Sequence, residues 1–147
     1  MDFDTTVKTA IYETIAETGS VPDAGHVAAT IQAPVQEVQA AFERLQQKRL
    51  LLLEPGDPSR IRMAPPFSGV PTSFLVHARG RGYYANCVWD AYGVAAALHC
   101  DAVIDASDGH TGEPMILEIR GGQPVPVPGV AHFAVPAAKW WDDLIFT

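Results

Sequence analysis

Apolar residues recur at helical spacing from the N-terminus onward. Over residues 5–18 they are Val7, Ala10, Ile11 and Ile15, with Thr14 alongside, and Gly19 closes the run. Asp23 opens a second, shorter helix with Val27, Ala28 and Ile31 inward. Pro34 opens a third, which carries Val38, Ala41, Phe42 and Leu45 as far as Lys48. The pattern then changes from helix to strand. Residues 50–54, a turn at Pro55-Gly56-Asp57-Pro58 and residues 60–63 predict a hairpin. Three short helices followed by a two-stranded wing predict a winged-helix-like domain over residues 1–64.

Residues 64–74 hold too much Pro and Gly for a helix or a central strand and read as a structured linker. A strand over 75–78 and a turn over 79–82 follow. Residues 83–85 form either a strand or an extended lead into a helix that Asn86 caps and that ends near Leu98. Short strands are expected at 102–105, 115–120 and 131–135, separated by Asp108-Gly109-His110-Thr111-Gly112 and by Gly121-Gly122. Pro124, Pro126 and Pro128 keep residues 123–128 extended and out of a sheet interior. The expected class is α+β, an N-terminal winged-helix-like three-helix domain followed by a small mixed β-sheet core with one packed helix over 65–147. No internal repeat is present.

Composition narrows the function classes. With 147 residues, 48% hydrophobic and 18% charged, the chain has enough apolar content for a packed core. The formal charge of −7 divides as −3 up to Pro66 and −4 after it, so neither part offers a basic platform to nucleic acid or anionic lipid. A winged helix invites a DNA-reading interpretation, but in the third helix Glu37 and Glu43 face Arg44, Lys48 and Arg49. Its basic residues gather at the end away from the groove-reading N-terminus. No apolar run is long enough to span a bilayer, and Met1-Asp2-Phe3-Asp4 lacks the order of a signal peptide, so a cytoplasmic location without membrane partners is expected. In a reducing cytosol Cys87 and Cys100 should be free thiols.

Candidate chemistry centres on Asn86-Cys87-Val88-Trp89-Asp90. With Asn86 as cap, Cys87 lies in the first helical turn and Asp90 beside it on the same face. Unpaired N–H groups and the helix dipole there favour thiolate, which makes Cys87 a candidate nucleophile or soft-metal ligand. Asp90, flanked by Trp89, Tyr92 and Val94, can be desolvated enough to hold a proton and serve as a general acid. The same residues also fit a plain structural role, a buried cysteine and an aspartate favourable near the helix dipole. The five histidines show no zinc-ligand spacing, and Gly80-x-Gly82 is not a phosphate loop. Trp140 and Trp141 read as a C-terminal anchor on the core or as a wall of a substrate pocket.

Taken in order, four pieces resemble the alkylmercury (organomercurial) lyase family. They are Pro66-Phe67-Ser68, Asn86-Cys87-x-x-Asp90, Thr111-Gly112-Glu113-Pro114 and Trp140-Trp141-Asp142-Asp143. The resemblance implies a small-molecule organomercurial substrate held by two cysteines and an aspartate that protonates the carbon, releasing hydrocarbon and leaving mercury(II) on the protein. Soft thiolate sulfur suits a soft heavy metal, and the acid supplies the proton at the leaving carbon. No cofactor is implied, because mercury belongs to substrate and product. Cys87 corresponds to the first cysteine and Asp90 to the acid.

The second family cysteine follows a segment resembling residues 140–147, where this chain ends, and a further one would fall near Asp108. Carbon–mercury cleavage is therefore expected to be impaired, with Cys100 as the substitute metal ligand or else a packing residue. Two alternatives accompany this expectation. One is a repurposed member using Cys87 and Asp90 on a metal-free small molecule. The other is a non-enzymatic metal-binding or regulatory winged-helix module.

Overall fold

The computed structural model describes residues 1–145. Helix α1 (Phe3–Thr18) starts where Asp2 Oδ1 accepts from the Thr5 N–H at 3.0 Å and stops at Gly19, whose φ of +78° turns the chain away. Helix α2 (Ala24–Ile31) is capped by Asp23 in the same manner, at 2.8 Å from the His26 N–H. Helix α3 (Val35–Gln47) buries Val38, Ala41, Phe42 and Leu45 against Val7, Ile11 and Ile15 of α1 and Val27 of α2. Two of the three basic residues noted at the end of α3 have a partner: Arg44 and Lys48 reach Asp4 of α1 at 2.6 and 3.0 Å.

The hairpin consists of β1 (Leu52–Glu54) and β2 (Asp57–Ala64), joined through Pro55 and Gly56. It continues into β3 (Phe67–Ser68), β4 (Phe74–Ala78), β5 (Arg81–Ala85), β6 (Ala102–Ser107), β7 (Pro114–Arg120) and β8 (Gln123–Pro124). These eight strands form one sheet in the order β1-β2-β3-β5-β4-β6-β7-β8. Helix α4 (Val88–Leu98) packs Ala91, Val94, Ala95 and Leu98 into the core with Val76, Ala78, Ile104 and Leu117. Its last turn is held by Arg79, whose guanidinium donates to the Leu98 carbonyl. Among the described residues no helix is long and apolar enough to cross a membrane.

The α+β class stands, while three details differ from the sequence expectation. The sheet is not mixed: every pairing is antiparallel. The α4 crossover carries the chain past β4, so β6, parallel in direction to β5, pairs with antiparallel β4 instead. Residues 64–74 are more than a linker, because Phe67–Ser68 lies inside the sheet between β2 and β5. Ala64 pairs with Phe67, which leaves Pro65 and Pro66 in the turn, where their missing N–H groups cost no ladder bond. Residues 131–135 form no strand. The last strand, β8, is only two residues long, and the prolines at 124, 126 and 128 offer no donors to pair with.

The chain enters and leaves β3 closely packed. Gly69 donates to the Arg62 carbonyl at 2.8 Å, and a Cβ placed on it would lie 2.1 Å from the Ile61 carbonyl oxygen. Backbone cannot yield as a flexible side chain does. Gly69→Ala is therefore expected to lose about 1–3 kcal/mol of stability, read as a lower urea midpoint with unchanged slope.

Candidate active site

The start of α4 is built differently from the expectation. Cys87, not Asn86, occupies the cap position, with extended backbone at φ −153° and ψ −178°, and its carbonyl accepts the Ala91 N–H at 2.9 Å. Asn86 does not cap, because its amide presents the nitrogen and not the oxygen to its partners, and Oδ1 accepts no backbone N–H. Its Nδ2 donates to Asp90 Oδ2 at 3.1 Å and faces the Phe67 and Pro66 carbonyls at 3.3 and 3.5 Å. Asp90 sits in the first turn, three residues after Cys87, and both are half-buried.

Burial governs the electrostatics here. It raises the pKa of Asp90 above the ordinary carboxyl value, against the lowering influence of Asn86 and of the Cys87 thiol. Burial also raises the Cys87 thiol. The backbone N–H groups of Asp90 and Trp89 pull it down, while the Asp90 charge pushes it further up. The expected thiolate is thus replaced by a resting thiol, because desolvation outweighs the helix start. Within the pair the Asp90 charge favours the neutral thiol, while the thiol favours the ionised carboxylate.

A third group comes from the other part of the chain. Tyr12 of α1 donates from its hydroxyl to the Pro65 carbonyl at 2.8 Å, and its ring lies 6.2 Å from that of Phe67. Its phenol is pushed up to about 12 by burial and by the Asp90 charge, which places it within electrostatic reach of the acid. Opposite, Gly93 of α4 faces Pro66 so closely that a Cβ would stand 3.2 Å from the proline Cβ. The Pro65–Pro66 turn is therefore clasped between α1 and α4. Sequence reasoning missed Tyr12, since it lies off the apolar stripe of its helix and only the folded chain brings it 53 residues back to Pro65.

Cys100 does not join this group. It follows the C-terminal cap of α4, and the 11-residue helix between sets it roughly 16 Å from Cys87 at 1.5 Å per residue. Both cysteines are free thiols. Among the described residues no three His, Cys, Asp or Glu side chains gather as a metal site. Trp140 lies in a short 3₁₀ turn, Ala137–Asp142, where its indole N–H donates to Val135 at 2.8 Å and its ring stands 5.2 Å from Phe133. Phe146 and Thr147, the last two residues of the C-terminal segment, lie outside the described residues.

A cleft of about 580 Å³ lies elsewhere, lined in part by His77, Arg79, Arg81, Asp101, Glu118 and Arg120. Its arginines are already engaged. Arg79 and Arg81 bind the Leu98 and Glu17 carbonyls near helix ends, and Arg120 pairs with Glu118 at 2.7 Å. These are the bonds of structural supports, and the thiol–carboxyl pair is the more reactive place.

A family model described as alkylmercury lyase matches residues 67–147, a span that begins at Phe67 and includes Asn86, Cys87 and Asp90. The chain belongs to the alkylmercury lyase family. This family member shares its fold with a solved structure described as the mercury-bound form of MerB2, at 22% identity and a TM-score of 0.63. The alignment covers 84% of the present chain and 58% of the other, so the family member spans just over half of that protein's length. A comparison with curated proteins gives no match.

Proposed function

We propose that this chain cleaves carbon–mercury bonds in organomercurials, with Cys87 as the mercury-binding thiolate and Asp90 as the proton donor. The observation that carries the proposal is the thiol–carboxyl pair at the start of α4, half-buried and mutually perturbing. The substrate arrives bound to a small thiol. The Cys87 proton passes to the Asp90 carboxylate, the Sγ–Hg bond forms and the small thiolate leaves. The proton on Asp90 then goes to the substrate carbon, which keeps the electron pair of the breaking C–Hg bond. Hydrocarbon departs, Asp90 is again a carboxylate, and mercury(II) remains on Cys87 with a small thiolate as second ligand. Because the resting thiol is protonated, the carboxylate acts first as base and then as acid.

No second protein thiol stands near Cys87 among the described residues, so turnover depends on solution thiol and is slower than with a built-in pair. The test is incubation with phenylmercuric acetate and excess small thiol, following benzene. Release that rises with thiol concentration and disappears in both Cys87→Ser and Asp90→Asn is the expected result. A stoichiometric arylmercury adduct on Cys87 with no benzene overturns the lyase reading. That outcome favours a repurposed member acting on a metal-free small molecule or a binding-only one.

The proposal keeps residues 1–64 as a winged-helix-like part and 65–147 as the lyase-like part, with action in a reducing cytoplasm on a small molecule. The helices have no nucleic-acid role in it, since Arg44 and Lys48 are occupied by Asp4.

A further inference from the structure

The Asn86 amide has one workable orientation. Its nitrogen faces three oxygens, Asp90 Oδ2, the Phe67 carbonyl and the Pro66 carbonyl, at 3.1, 3.3 and 3.5 Å. Two N–H bonds serve them, one to the carboxylate and one to the carbonyl pair. Turning the amide over would set Oδ1 against all three acceptors. Oδ1 as it stands is buried with no hydrogen-bond partner among the described residues, so nothing on its own side holds the amide in place. The orientation is imposed by the chain before the helix, and Tyr12 and Gly93 in turn hold that chain through Pro65 and Pro66.

This arrangement distinguishes the two oxygens of Asp90. Oδ2 already accepts a fixed donor from Asn86, so the Cys87 thiol, which also acts on this carboxyl, is the side-chain group left for Oδ1. We propose that Asn86 is a positioning residue for the reaction: it pins Asp90 Oδ2 as a permanent acceptor and leaves Oδ1 as the oxygen that takes the Cys87 proton and returns it to carbon. The role rests on the lyase reading given above. It assigns to Asn86 a contribution to proton delivery and none to mercury capture, because its side chain binds the carboxylate and two carbonyls.

Single-turnover experiments separate those two steps. The probe is phenylmercuric acetate, and the background is Cys100→Ser, which leaves Cys87 as the only thiol. Asn86→Leu, similar in size but without the amide, is expected to form the arylmercury adduct on Cys87 in full. Benzene release from the preformed adduct should fall about 10- to 100-fold, as loss of a group that orients a reacting partner does. Asn86→Gln, which keeps an amide, should recover part of the rate. Release from Asn86→Leu at the unsubstituted rate overturns the proposal. Absence of benzene from the unsubstituted protein overturns the parent reading instead, and this role with it.

A second measurement requires neither turnover nor an Asn86 variant. In the ¹H–¹⁵N spectrum the two Asn86 side-chain protons have different partners, so Asp90→Ala should move one strongly and leave the other near its place. Two signals that both stay where they were would show that the Asn86–Asp90 bond is not made, and the proposal would fall.

Discussion

Asp90→Asn should reduce benzene release by about 10²- to 10⁴-fold while arylmercury still titrates Cys87 to one equivalent. That is the range general acids contribute, and no other acidic side chain is placed in the described site to substitute. The asparagine keeps the shape and can still accept from Asn86 Nδ2, so the loss belongs to the missing proton. Stability should move the other way. Burial raises the Asp90 pKa in the folded state, so between the ordinary carboxyl value near 3.8 and the raised value the folded chain holds more protons than the unfolded one. Stability attributable to this group is therefore greatest at low pH and falls as pH rises through that window. Above the window the Asn variant should unfold at a higher temperature than the parent, and the gap should close as pH approaches 4. Thermal unfolding followed at several pH values measures this. A variant less stable than the parent at pH 7 would contradict the desolvation assigned to Asp90.

Tyr83→Ala should have the largest effect on folding, about 3–5 kcal/mol in urea unfolding. Tyr83 of β5 is 0% exposed, its ring lies 5.8 Å from Phe67, and its hydroxyl donates to the Ala16 carbonyl of α1 at 2.7 Å. It stands opposite Val76 in the β4–β5 ladder and joins the sheet interior to the N-terminal helices. Removing the side chain opens a cavity where strand, turn and helix meet. Tyr83→Phe keeps the volume and loses one hydrogen bond, so it should cost only about 1–2 kcal/mol. Comparable losses from the two variants would mean that the hydroxyl, and not the packing, carries the contact.

The helices were legible because short-range signals specify them. Asp23 opens a helix, Gly19 stops one, and apolar residues recur every three or four positions, while the cap at Asp2 starts α1 two residues before the apolar pattern does. The hairpin was legible for a similar reason, with Pro55-Gly56 between two apolar runs. The course of the sheet was not. Phe67 and Ser68 are a two-residue strand amid Pro and Gly, and only pairing with β2 and β5 defines them. At residues 131–135 the apolar content was present and the partner edge was missing, which periodicity cannot register.

The site divides along the same line. Cys87 and Asp90 stood out by spacing within one helix. Asn86 was read as a cap because a side chain next to a helix start ordinarily serves the nearest N–H. Here it serves oxygens 19 and 20 residues away in sequence and the acid four residues on. Whether a thiol ionises depends on how deeply the fold buries it, and a linear sequence carries little of that information. Cys100 could be doubted on length alone, and the uninterrupted α4 keeps it at the helix's far end.

Pro65 and Pro66 rest on Tyr12 from one side and on Gly93 from the other, and Tyr83 reaches across to Ala16. The surroundings of Asp90 are thus assembled from residues before and after Pro65, although Asp90 and Cys87 both lie after it. Descent with a different N-terminal partner would therefore require a new support for that proline turn, and substitutions at Tyr12 should be accompanied by changes at Pro66 or Gly93. The two parts are coupled as a hinge and its doorframe are: either can be redesigned, but not while the other stays fixed.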